Sequence, residues 1–239
     1  MIGDRHRRMR ASVLAMVLAG AGNVAVADPV TGEGEFGLSI TRGNSESETL
    51  VGKAKIEKKA APWTHNAAVE AVKTATGGLT SAQRYVGTAK SARDLNETIY
   101  VFGAARYDTD KFSGFSFQSS AATGVGFHVI KTDPTILDLE AGLGYRVDRT
   151  LVGDVVRDVI LRGAVKFSHK LTANTAFTED VLVEAGDDNT YSESVTGLKV
   201  DMNANLALRL GVTVKNNSDP PAGKKQTDSY STITLVFKF

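Results

Sequence analysis

The sequence contains no cysteine and only five prolines among its 239 residues. Without cysteine the chain forms no disulfide, so hydrogen bonding and packing have to stabilise the fold. No stretch reaches the roughly 18 consecutive apolar residues that a membrane-spanning helix needs, which excludes a helical membrane protein. Sparse proline together with 23 glycines is typical of a chain that forms many strands.

The first 27 residues have the three parts of a secretory signal peptide. Four arginines lie within residues 5–10, an apolar run follows at 11–20, and small residues occupy Ala25 to Ala27. We therefore predict that residues 1–27 are a cleaved leader and that residues 28–239 form a single exported domain. The formal net charge of +1 comes from this leader, so no basic surface for nucleic acid is expected.

After position 28, runs of about ten alternating residues are separated by turn clusters. In the cleanest run, 136–146, Leu137, Leu139 and Leu143 alternate with Asp138 and Glu140. Period two is typical of a β-strand with two unlike faces. About twelve such runs predict an all-β antiparallel up-and-down β-barrel, and their even number places both termini on the periplasmic side. The runs are 33–41, 47–57, 63–73, 83–91, 97–107, 115–129, 136–146, 155–168, 175–185, 190–202, 206–216 and a final run ending at 239.

Two runs carry features of their own. In 175–185 the carboxylate Glu179 falls on the apolar face with Phe177 and Val181, which predicts a β-bulge there. The final run ends with Phe237 and Phe239 on one face, and it resembles the closing strand of bacterial outer-membrane barrels. We predict that these two phenylalanines form an insertion signal for the barrel-insertion machinery.

Alternation alone does not decide which face points inward. A soluble periplasmic barrel that binds a lipid or another ligand would show the same pattern with its apolar side chains inside. Twelve strands, however, leave a lumen that is hard to fill with leucine and valine. Aromatic residues also gather at strand ends, as they do in the girdles of a membrane barrel. One predicted girdle contains Phe36, Trp63, Phe127, Phe167, Phe177 and Phe239, and the other contains Tyr85, Tyr107, Phe115, Tyr145 and Tyr191.

These observations favour a transmembrane barrel of the outer membrane with a polar lumen, and the soluble barrel is kept as the alternative. Ten charged residues are predicted to face the lumen: Arg106, Asp138, Glu140, Arg146, Asp158, Arg162, Lys166, Lys199, Arg209 and Lys215. Because those on the two central strands have mixed signs, a salt-bridge ladder is favoured over a constriction that filters solutes. The two are compatible, and the remaining cations suggest a weak preference for anions.

Catalysis is not expected from the histidines of residues 28–239. Some twelve-strand outer-membrane barrels carry a Ser/His pair on the lipid-facing wall, but here Ser168 and His169 are sequence neighbours and point in opposite directions on a strand. We place His65 and His169 at periplasmic turns and His128 on the inner face. No catalytic residue, cofactor or metal site is predicted.

The glycine pairs at 124/126 and 142/144 lie within strands, without a following helix, which excludes a phosphate loop. We expect these glycines to make room for large neighbouring side chains such as Arg146 to lie across the inner wall.

Three short motifs resemble those of the YdiY-like salt-induced outer-membrane protein family. They are Gly43-Asn44-Ser45, Arg106-Tyr107 followed by Phe112-Ser113-Gly114-Phe115, and Gly142-Leu143-Gly144-Tyr145-Arg146. Arg42, which precedes the first motif, stands where a second small residue is more usual. The resemblance spans residues 28–239 and implies an exported outer-membrane β-barrel without an established activity. The expected function is passage of small polar solutes or a structural role in the envelope, with outer-membrane lipid as partner.

Overall fold

A computed structural model of the chain describes residues 30–41, 47–110 and 112–239. These residues form twelve antiparallel strands in one closed barrel, in which each strand pairs with its sequence neighbours and β1 pairs with β12. The strands are β1 Val30–Thr41, β2 Ser47–Ala60, β3 Trp63–Thr76, β4 Leu79–Asp94, β5 Ile99–Asp110, β6 Phe115–Lys131, β7 Thr135–Thr150, β8 Val155–Lys170, β9 Thr175–Ala185, β10 Thr190–Asp201, β11 Leu206–Asn217 and β12 Thr227–Lys238. The predicted fold class is confirmed. The predicted leader lies outside the described residues.

Most strands are longer than the alternating pattern indicates. The run 83–91 is part of a strand of 16 residues, β4, and β6 has 17 residues. A tilted strand needs only about 9–11 residues to cross the hydrocarbon core. The hydrogen-bonded ladder therefore continues beyond the lipid, where the apolar alternation is no longer required. No helix in the described ranges is long and apolar enough to cross a membrane.

The apolar faces of the strands point away from the barrel axis. Leu139, Leu161 and Leu210 are 39%, 65% and 45% exposed. A soluble barrel would need these side chains packed together at its centre, so the structure does not support the soluble alternative. Exposed leucines on a continuous wall match the lipid-facing band of a membrane barrel.

Two residues of the predicted girdle that includes Tyr85 and Tyr107 lie inside the barrel, so that part of the prediction is wrong. A register shift between Phe115 and Phe117 turns Phe115 inward, where it is buried. Tyr191 shares the inner face of β10 with Glu193, to which its hydroxyl donates a hydrogen bond at 2.7 Å. Phe117 takes the girdle position instead, stacked on Tyr107 with ring centroids 5.7 Å apart.

The bulge predicted in β9 is also absent, since the pairing of 175–185 with both neighbouring strands has no register shift. Glu179 therefore remains on the outer wall. The Ser194 and Thr196 hydroxyls each donate a hydrogen bond of 2.6 Å to this carboxylate. These two bonds partly replace the water that the charge would otherwise bind.

The barrel closes where β1 meets β12. The ladder between them runs from Glu33 opposite Lys238 to Phe36 opposite Leu235. Phe239 extends it with two backbone hydrogen bonds to Gly32, of 2.8 and 3.0 Å. The Phe239 ring lies over Gly32, where a Cβ atom would overlap it, so the absence of a side chain at Gly32 makes this contact available.

Candidate functional site in the barrel interior

One half of the interior, at the end opposite the termini, is crossed by a charged network. Its members are Arg84, Arg106, Asp108, Tyr191 and Glu193, which we call the outer network. The Arg84 Nη2 atom lies 2.7 Å from Glu193 Oε2 and 3.0 Å from Asp108 Oδ2. The Arg106 guanidinium donates a hydrogen bond to the Tyr191 hydroxyl at 2.6 Å. Because β4 and β5 are remote from β10 in the strand order, these bonds span the lumen.

A second buried cluster fills the same half of the lumen beside the outer network. The Arg146 guanidinium lies 3.2 Å from Asp148 and 3.4 Å from Asp158, and it donates hydrogen bonds to the backbone carbonyls of Glu184 and Asn189. Arg146 is 2% exposed, and in the outer network Arg84 is 5% and Tyr191 1% exposed. Water therefore reaches almost none of these side chains, and this half of the lumen is closed.

The middle of the barrel and the half nearer the termini contain open space. A cavity of about 300 Å³ adjoins one of about 200 Å³, and the two share Lys90, Arg162, Lys166 and Asp180 in their linings. We call this joint cavity the vestibule. Lys55, on the opposite wall, and Asp180 are both exposed to it. Some charged groups, such as Lys55 and Asp180, thus face solvent in this half, whereas the charged groups described in the other half are bonded and buried.

Glu140 lines the vestibule and binds three neighbouring side chains. It accepts hydrogen bonds from Lys90, from the Tyr100 hydroxyl at 2.9 Å and from Arg162 at 3.2 Å. A Cβ atom at Gly126 would overlap the Tyr100 ring, so this glycine makes room for the ring to cross the wall. The steric role expected for the inward glycines is thus present at Gly126, but the side chain it admits is Tyr100.

The ten residues predicted from the sequence to face the lumen separate into groups. Four lie in the closed half: Arg106, Arg146, Asp158 and Lys215, the last 3.1 Å from Asp110. Glu140, Arg162, Lys166 and Asp138 line the vestibule, where Asp138 also contacts His128 at 2.8 Å. Lys199 and Arg209 reach across to β1 and contact Glu33 at 2.8 Å and Glu35 at 3.0 Å.

The pairs Arg146–Asp158 and Glu140–Arg162 join β7 to β8, as a salt-bridge ladder requires. The lining of the vestibule contains five basic and five acidic side chains, and this balance gives no reason to expect selection of one sign of charge.

One polar pair on the outer wall was not predicted from the sequence. Ser91 Oγ lies 2.9 Å from His65 Nδ1, because the register of β3 and β4 places the two residues opposite each other. Neither His65 nor His169 lies in a turn, since both are inside strands. A nucleophile–histidine pair also needs a third group that orients the ring. In the described part of the chain no carboxylate contacts His65, whose ring instead stacks on Trp63 at 5.9 Å.

The comparisons with known proteins agree with this architecture. The model of a family described as "Protein of unknown function, DUF481" matches residues 34–239. The chain is 24% identical over 210 residues to a protein of Escherichia coli strain K12 described as uncharacterized protein YdiY, covering 87% of this chain and 83% of that protein.

Among solved structures the chain is similar to the NanC porin, with a TM-score of 0.52 at 11% identity, covering 87% of this chain and 98% of that one. It is also similar to the translocator domain of the autotransporter NalP from Neisseria meningitidis, with a TM-score of 0.46 at 13% identity, covering 88% and 87% of the two chains. The likeness to NanC shows a shared barrel fold.

Proposed function

We propose that this chain, which belongs to the family described as "Protein of unknown function, DUF481", is a narrow channel for small polar solutes whose outer network keeps it closed. The chain is an outer-membrane β-barrel. The observation that carries the proposal is a charged vestibule, made of adjoining cavities of about 300 and 200 Å³, that ends at buried ion pairs. An interior that served stability alone would be filled along its whole length, and only one half is filled here.

The lining of the vestibule supports a polar solute. Lys55 and Lys166 present ammonium groups to the cavity, and Asp180 presents a carboxylate between β8 and β10. Fixed charges and hydrogen-bonding groups of this kind can replace part of the hydration shell of a small polar molecule. An apolar solute would gain nothing from these groups, and a macromolecule exceeds the size of the cavity.

Conductance of the purified barrel in planar lipid bilayers tests the channel. Arg84→Ser combined with Glu193→Ser removes one charge of each sign from the outer network and shortens both side chains. We expect rare, small conductance steps for the wild type and larger, longer openings for this double variant. The matched control is Lys199→Ser with Glu33→Ser, which removes an ion pair from the wider end of the lumen and should leave the conductance unchanged.

A structural role in the envelope is the second candidate, and the density of bonds around Arg84 favours it. This guanidinium contacts Asp108, Glu193, Glu70 and Tyr230 at 2.7 to 3.4 Å, which joins β4 to four other strands. If the double variant is folded but conducts no better than the wild type, the network is a brace and the channel proposal is wrong.

Export through the leader at residues 1–27 and assembly by the barrel-insertion machinery belong to the same proposal, which includes no catalytic step. Phe237 and Phe239 are exposed on the outer wall, and this supports their recognition during insertion. Partition into detergent with a heat-modifiable gel band is the expected behaviour. Release from the periplasm as a free protein would contradict it.

A further inference from the structure

A cationic cluster lies on the outer wall where β2, β3 and β4 end on the side of the termini. Its members are Lys58, Trp63, His65, Ser91 and Arg93, which we call the rim cluster. The ladder places Lys58 beside His65, His65 beside Ser91, and Trp63 beside Arg93. His65 shares a hydrogen bond of 2.9 Å with Ser91, and the Arg93 guanidinium lies 5.8 Å from the Trp63 ring centroid. Two cations, an imidazole and a hydroxyl thus converge beside an indole.

The positive charge of the rim cluster is not neutralised by the carboxylates nearest in sequence. Glu57 is on the inner face of β2 and contacts Lys59 at 3.1 Å. Asp94 is on the inner face of β4, where its carboxylate lies 3.5 Å from His128. Among the described residues, Lys58 and Arg93 form no ion pair with a carboxylate. The cluster therefore lacks the counter-charge that the interior cations have.

A groove of small apolar side chains begins next to the rim cluster and runs toward the middle of the wall. Its volume is about 460 Å³. The first row of the ladder beyond the cluster is Ile56, Ala67, Ala89 and Ala105, and the second is Ala54, Val69, Gly87 and Tyr107. At Gly87 no atom lies within 4 Å of the position that a Cβ would take. From His65 to Val69 the groove extends about 13 Å at about 3.3 Å per residue.

The two features together match one kind of molecule. We propose that the rim cluster and the groove bind a single anionic phospholipid of the periplasmic leaflet, with its phosphodiester at Lys58, Arg93 and Ser91 and one acyl chain in the groove. Unpaired cations at a membrane interface attract anionic headgroups, and an indole ring favours the same depth. Lipopolysaccharide carries its phosphates in the opposite leaflet, away from the cluster. This inference does not depend on whether the lumen conducts.

Native mass spectrometry of the delipidated full barrel in detergent, titrated with phosphatidylglycerol, tests the site. The wild type is expected to retain one phosphatidylglycerol more strongly than phosphatidylcholine, because only the former has net negative charge. Lys58→Gln with Arg93→Gln should weaken retention by about 30-fold, from about fivefold per charge at a membrane surface. The matched control removes two exposed arginines near the opposite rim, Arg149→Gln with Arg157→Gln, and should leave retention unchanged.

A second pair of variants tests the contact with the acyl chain separately from the contact with the headgroup. Gly87→Leu with Ala89→Leu fills the groove and should also abolish the preference for phosphatidylglycerol over phosphatidylcholine. Val181→Leu with Val183→Leu, on β9 and therefore remote from the groove, should leave that preference unchanged. Each variant is first shown to be folded by its heat-modifiable gel band.

Three results would overturn the proposal. They are equal retention of the two lipids by the wild type, equal losses in the rim variant and its arginine control, and displacement by soluble glycerol 3-phosphate with the groove variant unaffected. The last result would identify a site for free phosphate compounds instead of a lipid.

Discussion

Replacing Arg84 by methionine should destabilise the barrel more than any loss of packing would explain. The guanidinium is 5% exposed and is shared by Asp108, Glu193 and Glu70. Methionine fills a similar volume but leaves these carboxylates, whose side chains are 2% to 19% exposed, without the guanidinium that they share. Removing one partner of a buried ion pair typically costs about 3–5 kcal/mol.

A double-mutant cycle separates the contribution of the Arg84–Glu193 pair from the rest of this free-energy cost. Glu193→Gln removes the carboxylate that lies 2.7 Å from Arg84, so the double variant loses both charges. Part of the cost of Arg84→Met should then disappear, and a coupling of about 0.5–3 kcal/mol is expected between two groups in contact. The control is Lys199→Met, whose partner Glu33 is 28% exposed in its side chain, and a cost of at most about 1 kcal/mol is expected there.

Urea unfolding of the barrel in lipid vesicles supplies these free energies. The chain has a single tryptophan, Trp63 at the rim of the wall, and its fluorescence reports whether the wall is in contact with lipid. A cost for Arg84→Met no greater than that for Lys199→Met would show that the outer network is wet or loosely held. This half of the lumen would then be open to water instead of closed.

Two further substitutions test the outer wall and the seam. Leu210→Arg places a cation on the lipid-facing wall and should cost about 2–4 kcal/mol near the middle of the bilayer, measured by the same unfolding assay; an unchanged unfolding midpoint would mean that lipid does not cover Leu210. Gly32→Leu should reduce the folded, heat-modifiable fraction because its side chain overlaps the Phe239 ring. Gly34→Leu, with no atom within 4 Å of its Cβ position, is the matched control, and equal losses in both variants would contradict the contact.

The sequence was sufficient to predict the strands, which follow from local alternation, and also the direction of their faces, which follows from the number of strands and the aromatic residues at their ends. Leu139 lies between Asp138 and Glu140, and Leu161 precedes Arg162; each leucine lies on the outer wall as the alternation indicates. One failure arose where the ladder itself changes phase. A register shift reverses Phe115, and period-two counting from the sequence alone does not detect such a shift.

Side-chain contacts between strands could not be predicted in the same way. His65 and Ser91 are 26 positions apart and meet only because the turn between β3 and β4 sets the register. Arg84 and Glu193 meet across the lumen through the curvature of a closed sheet, which no local pattern encodes. The charges could be assigned to the interior, but their partners and the closure of one half depend on the barrel diameter and strand stagger.

The pairing of β1 with β12, which the contact between Gly32 and Phe239 extends, closes the sheet, so every strand has two neighbours and none lies at an edge. Cutting the chain in the turn between β7 and β8 and joining residue 239 to residue 30 through a short linker would preserve every pair of neighbouring strands. Such a circular permutant would have the same wall, but its aromatic pair, Phe237 and Phe239, would lie between two barrel strands of the new chain order instead of at the end of the last one. The permutant and the natural chain would then have the same strand pairs but a different strand order along the chain. A difference in their folding rates at equal equilibrium stability would show that strand order affects assembly.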